Sequence, residues 1–305
     1  MSDQLASTAT LEPPTPTRDS GSERAASLWA DARRELIRNP VFVGAVLFVL
    51  TVSSMAIVPK LWTRTDPDSC TLDNSSLPMF TPGHPFGTNP RGCDYYAYAV
   101  WGARPSLTIA AMATLGILLI GIPLGVLAGF FGGWVDAVIS RVIDIVFALP
   151  FLLGALVLLA LLRQYNIWTI TAVLVFLGWT TLARVMRGSV LATKNLDYVQ
   201  AAKALGASNT RLMFRHILPN AIAPAFVIAS IALGAFVTAE ATLTFLGVGL
   251  KIPAKSWGLM ISVHQQYFEL WPHLTLIPVA LLVGTVLSFI LIGDALRDAL
   301  DPKLR

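Results

Sequence analysis

The side chains able to do chemistry are few in this chain, and their spacing argues against most catalytic arrangements. Glu240 sits alone in the apolar run AIAPAFVIASIALGAFVTAEATLTFL, from Ala221 to Leu246. A charged residue at the centre of a bilayer costs about 2.5–3.5 kcal/mol on insertion scales, so a carboxyl kept there is a functional candidate by default. Its bland alternative is a carboxyl satisfied between helices. His84, His264 and His273 are at no spacing that makes a set of metal ligands, and no metal site is expected. Cys70 and Cys93 fall in one polar segment and are a disulfide candidate if that segment faces an oxidising compartment. None of the six lysines follows a glycine, so there is no GxxxxGKS or GxxxxGKT phosphate loop. No catalytic residue and no cofactor bound by this chain are expected, and the chain is read as not being an enzyme.

The one organised polar stretch is DYVQAAKALGASNTRLMFRHILPN, from Asp197 to Asn220. Asp197 is placed to cap a helix, and Gln200 three residues on completes a capping-box pattern. Ala201, Ala202, Lys203 and Leu205 continue as helix formers, and Gly206 stands where a left-handed residue closes a helix. After Ala207, Ser208 or Asn209 can cap a second helix that carries Arg211 and Arg215. Pro219 predicts that this helix ends near Ile217. The expected unit is helix, glycine turn, helix, made basic by Lys203, Arg211 and Arg215. It reads as a docking surface for a cytoplasmic partner, against the alternative of a basic loop that only sets topology.

Long apolar segments frame this island. The chain is 55% hydrophobic and 13% charged, with a mean hydropathy of +0.66. Those values place it among membrane proteins rather than soluble domains. A net charge of +4 is then to be weighed by side of the bilayer, and nucleic acid is not an expected partner. Residues 1–27 have no apolar period and are expected to be a disordered cytoplasmic tail, with no removable signal peptide. Residues 28–40 read as an amphipathic helix at the inner interface, and 41–59 as the first span. Residues 60–105, rich in Pro and Gly, are expected to be an extracytoplasmic loop. Residues 106–305 form a core with five more spans, the third of them kinked before Pro150, and a charged tail expected from Asp294 to Arg305. A second outer loop follows the fifth span, with Trp257, Tyr267 and Trp271 as interfacial anchors. With both termini inside, fifteen of the 22 Lys and Arg lie on the inner side and seven outside, as the positive-inside bias requires. The island, 194–220, is then cytoplasmic.

The run Gln200-Ala201-Ala202, Gly206 and the Leu218-Pro219 close resemble the EAA loop of ATP-binding-cassette importer permeases. Gln200 stands where that family has glutamate, and His216 where an aliphatic residue is usual. HPFGTNPRGCDYYAYAVWGARPSL, His84 to Leu107, resembles the HPxGTDxxGRD…GARxSL segment of the peptide and nickel importer permeases, with Asn89 in place of an Asp and Cys93 in place of an Arg. AEATLTFLGVG, Ala239 to Gly249, is also similar to theirs, and because the resemblance places Glu240 in that recurring run it implies a packing or gating role for Glu240 rather than substrate contact. The resemblance implies an all-α type I importer permease with six transmembrane helices in a prokaryotic inner membrane. It implies a second homologous permease subunit, two ATP-binding subunits that carry ATP and Mg, and an extracytoplasmic substrate-binding protein. Asp197, Tyr198, Gln200, Ala201, Ala202, Lys203, Gly206, Ala207, Arg211, Arg215, Leu218 and Pro219 would form the ATPase-coupling surface. Peptide is the expected cargo and nickel or another small solute the alternative. An ion-coupled secondary transporter would want paired ionisable groups at mid-membrane and an inverted repeat, of which only Glu240 is visible.

Overall fold

The computed structural model describes residues 35–300. The expected tail 1–27, most of the expected interfacial helix and residues 301–305 lie outside the described residues. Residues 35–38 are helical, and Asn39 ends that piece by capping the next: its side chain accepts from Val41 N at 2.9 Å and Phe42 N at 3.2 Å. Pro40 takes the first helical position, where its missing N–H costs nothing. The helices are α1 (Pro40–Ile57), α2 (Tyr95–Phe131), α3 (Gly133–Phe147), α4 (Phe151–Leu162), α5 (Ile167–Lys194) and α6 (Asp197–Ala204). Three pieces, Asn209–Arg211, Leu212–Ile217 and Leu218–Ala221, run on as one helical stretch, α7. Then come α8 (Ala223–Phe245), α9 (Trp257–His264) and α10 (His273–Leu300). The described residues contain isolated β-bridges and no named strand.

Five helices, α1, α2, α5, α8 and α10, are long and apolar enough to cross a membrane. A sixth span is counted if α3 and α4 are taken together, although they bend by 80° at Ala148–Pro150. The kink expected before Pro150 is therefore a corner, and neither half alone is long enough to span.

The centre of the bundle is the parallel pair α2 and α5. Gly121, Gly125 and Gly129 on α2 face Leu182, Met186 and Val190 on α5, so the two backbones meet with almost no side chain between them. On its other sides α2 packs against α8 and α1, and α8 packs against α10.

Three boundaries differ from the sequence reading. Helix α2 begins at Tyr95, so the polar loop ends near Asp94 and Pro105 lies inside the helix. Asp94 starts it by accepting from Ala97 N at 2.6 Å, and buried Tyr95, Ala97, Ala99 and Ala103 hold the first turns, which outweighs one lost donor at Pro105. The segment after α8 is not a plain loop but holds α9. Trp257 is no interfacial anchor: it is fully buried, its indole N–H donates to Ala99 O at 3.0 Å, and its ring lies against Gly102. Finally, α10 carries helix through Asp294 to Leu300, so the charged end is helical at its start.

Candidate functional site

The island lies at the end of the bundle where α2 and α5 finish and α8 begins. Its first helix starts differently from the expected capping box. Leu196 is the N-cap and makes no side-chain cap, while Asp197 is the first helical residue, where the helix dipole favours its charge. Gln200 turns the other way and donates its amide to Lys194 O at 2.8 Å. That carbonyl is one of the orphan acceptors at the end of α5, so the amide finds a partner there that a carboxylate could not bond. Lys194 in turn donates to Gly129 O at 2.9 Å and Phe130 O at 3.2 Å, the last carbonyls of α2. The ends of α2, α5 and α6 are thus tied together by two side chains.

Gly206 adopts φ +84°. Its N–H donates to Lys203 O at 3.0 Å, and Ala207 N–H donates to Ala202 O at 3.1 Å. This pair of bonds is the helix closure that needs a left-handed residue. Ser208 caps the next helix, accepting from Arg211 N at 3.4 Å.

Pro219 does not end this helix near Ile217. Leu212–Ile217 takes the wider i→i+5 pattern, with Leu218 N–H donating to Met213 O, and the helix runs on through Pro219 to Ala221. The wider turn shifts the ladder ahead of the proline and absorbs its missing donor. Tyr198 Oη and Asn220 Nδ2 both donate to the carbonyl of His216, at 3.3 and 2.7 Å.

Val199, Leu212, Ile217 and Ala221 are buried and seat the island on the bundle. Asp197, Gln200, Ala201, Lys203, Arg211, Arg215 and Pro219 are exposed, while Ala202, Ala207 and Leu218 are half-buried. Tyr198, expected on this surface, is 45% exposed. Sequence reasoning missed two large apolar side chains of the same surface: Leu205 is 89% exposed next to Gly206, and Phe214 is 64% exposed. Two large apolar side chains facing out among cations, on a well-seated element, are what a protein interface presents. Leu205 and Phe214 are the most exposed large apolar residues of the island.

Below the island, Arg187 on α5 holds Asp136 on α3 with two bonds, 2.5 and 2.7 Å, and Ser140 donates to the same carboxylate at 3.1 Å. A paired, partly buried fork of this kind fixes orientation as well as charge. It anchors α3 to α5, a role not assigned to either residue from sequence.

At the opposite end, Cys70 and Cys93 are bonded. Asn89 accepts from Arg91 N and Cys93 N, both at 3.0 Å, so its amide oxygen does what a carboxylate would do at this turn. Asp94, besides capping α2, is paired with His84 Nδ1 at 2.6 Å. His264 bonds the Met260 carbonyl at 2.8 Å, and burial pushes its pKa below the ordinary 6.5. The guanidinium of Arg104 donates to Ala56 O at 2.9 Å and Ile57 O at 3.0 Å, closing the end of α1. Glu240 lies at this same end of α8 and is completely buried. Its Oε2 accepts from Ser106 Oγ and its Oε1 from Thr244 Oγ1, each at 2.9 Å. The candidates therefore form two groups, the island at one end and the disulfide and Glu240 at the other, joined by the length of α8.

The family model for the binding-protein-dependent transport system inner membrane component matches residues 121–305. The chain is 36% identical to the oligopeptide transport system permease protein OppC of Bacillus subtilis, covering 93% of this chain and 92% of that protein. It is 35% identical to the dipeptide transport system permease protein DppC of Alkalihalophilus pseudofirmus, with 92% of each covered. To the glutathione transport system permease protein GsiD of Pectobacterium atrosepticum it is 33% identical, covering 91% of this chain and 92% of that one. Among solved structures, a chain of the MetNI methionine ABC transporter superposes with a TM-score of 0.55 at 20% identity, over 66% of this chain and 96% of that one. A chain of an amino acid ABC transporter gives 0.52 at 16%, over 66% and 92%. Those two likenesses speak for the fold, which is that of an importer permease. With the family model matching more than half of the chain and full-length relatives above 30% identity, the chain belongs to the binding-protein-dependent transport system inner membrane component family.

Proposed function

We propose that this chain is one of two membrane subunits of an ATP-driven importer of di- and oligopeptides. The island 194–220 faces the cytoplasm and receives the ATPase subunits, which carry the ATP and Mg; this chain performs no covalent chemistry. Both chain ends lie on that side. The disulfide-bonded loop and α9 face outward, toward a binding protein that delivers the peptide, and a second homologous permease completes the path. ATP-driven closure of the ATPases favours the conformation of the spans that fits their contacts, which is a shift between two states rather than a push on a passive pore.

The observation that carries this reading is the seating of the island: exposed Leu205 and Phe214, with exposed Lys203, Arg211 and Arg215, stand on helices tied to the ends of α2 and α5. The peptide cargo rests on the full-length similarity to permeases named for oligopeptides and dipeptides. Nickel transport, the alternative drawn from the resemblance, has no observation here in its favour.

Growth separates the two cargoes. A strain lacking this chain and auxotrophic for one amino acid is expected to grow on the free amino acid and to fail on a di- or tripeptide that contains it. Normal growth on peptides, together with loss of nickel-dependent enzyme activity, would overturn the peptide assignment.

A further inference from the structure

We infer that Glu240 is a positioning residue that fastens α9 and the segment leading to it onto α8, so that movement of the island reaches the outer face of the protein. The inference rests on the coupling role proposed for the island.

The first observation is a set of hydrogen bonds that converge on one carboxylate. Glu240 accepts from Ser106 and Thr244 at 2.9 Å each. Each of these hydroxyls is also an acceptor for the backbone of the segment after α8. Thr244 Oγ1 accepts from Leu250 N at 3.1 Å and Ser106 Oγ from Trp257 N at 3.4 Å. A hydroxyl has one proton to give. With the backbone N–H groups occupying their oxygens, both protons are free to turn to the carboxylate, and both of its oxygens are filled. Two hydroxyls therefore relay one buried side chain to two backbone donors, Leu250 before α9 and Trp257 at its first residue. A glutamine would present an NH₂ where a hydroxyl proton already points, so the network does not survive that change intact.

The second observation is contact. Gly258 lies so close to Ala241, the neighbour of Glu240, that a Cβ there would sit 2.5 Å from Ala241 Cα. Gly249 is as tight against Thr244, where a Cβ would come within 2.2 Å of Oγ1. On the far side Trp257 is bonded to Ala99 O. Helix α9 is thus clamped between α2 and α8 with Glu240 in the seam.

The third observation is continuity. Only Ile222, itself in a helical conformation, separates α7 from α8. From Ala223 to Glu240 the helix advances about 25 Å without a break. A tilt imposed on the island is carried by this rod, and Glu240 is where the rod is joined to the opposite face.

Hydrogen exchange on the assembled transporter, purified through a tag on this chain, tests the joint. Glu240→Gln, and Ser106→Ala as the milder variant should the first fail to accumulate, are expected to speed exchange of the amides in 250–264 by about tenfold or more. Exchange in 197–221 is expected to stay as in the wild type. ATP hydrolysis is expected to persist while peptide uptake falls by about tenfold, because the ATPase cycle is no longer handed to the outer face. Unchanged exchange in 250–264 overturns the inference, and so does faster exchange with normal uptake. Failure of the coupling role itself shows up elsewhere: normal uptake by a Gly206→Val variant would remove that role while leaving the exchange result at Glu240 intact.

Discussion

A Gly206→Val variant is expected to reach the membrane at the wild-type level and to lose ATP-driven uptake, with loss of ATPase assembly or stimulation. Gly206 holds φ +84°, and the two bonds that close α6 are made on either side of it. A residue with a Cβ costs about 1–2 kcal/mol in the left-handed region, and β-branching adds to that. Nothing lies within 4 Å of the position where the Cβ would be, so no core contact is disturbed. The strain is instead relieved by rotating the backbone, which re-aims α7 and with it Phe214, Arg211 and Arg215 relative to Leu205. Asparagine tolerates the left-handed region better than most residues, so Gly206→Asn is expected to keep much of the activity. Equal loss in both variants would mean that the side chain, not the backbone angle, is what matters. Full activity of the valine variant would count against the island as the ATPase seat.

The second large effect concerns the seam between α2 and α5. A Cβ on Gly125 would come within 2.6 Å of both Ala183 O and Met186 Cβ, and the first of these is backbone that cannot turn aside. Overfilling a well-packed interior costs about 1–3 kcal/mol when only methylenes must be absorbed, and here two helices must separate. Gly125→Ala is expected to lower the melting temperature in detergent, and Gly125→Leu to abolish accumulation in the membrane. Gly44 on α1 meets nothing within 4 Å and serves as the control, with Gly44→Ala unchanged. A Gly125→Leu protein that accumulates and melts like the wild type would show that the seam is looser than described.

How much of this was legible in the sequence depends on whether a feature is set by local rules or by what the chain folds against. The apolar runs located the spans, and the glycine at 206 announced its own turn, because a left-handed closure is a demand of the backbone alone. Prolines misled. Pro105 and Pro219 each read as a boundary, yet both lie within helix, one held by burial of the turns before it and the other by a wider helical turn. Polar side chains near helix ends misled for a related reason. Gln200 had two orphan groups within reach, its own helix start and the carbonyl at the end of α5, and only the fold decides between them.

At the candidate sites, residue types were legible and partners were not. Glu240 was visible as a carboxyl that must be satisfied, but Ser106 lies 134 positions away in the chain and nothing local links the two. Arg104 and Trp257 were invisible as fasteners for the same reason, since each bonds a backbone carbonyl of a distant helix.

Peptide uptake by proteoliposomes tests the central claim most directly. The vesicles would contain this chain with its partner permease and ATPases, and the binding protein would be added outside. The account predicts uptake that requires internal ATP and the binding protein, is indifferent to collapse of the ion gradients, and vanishes when this chain carries Gly206→Val. Peptide accumulation driven by an ion gradient without ATP, or undiminished in the Gly206→Val vesicles, would contradict it.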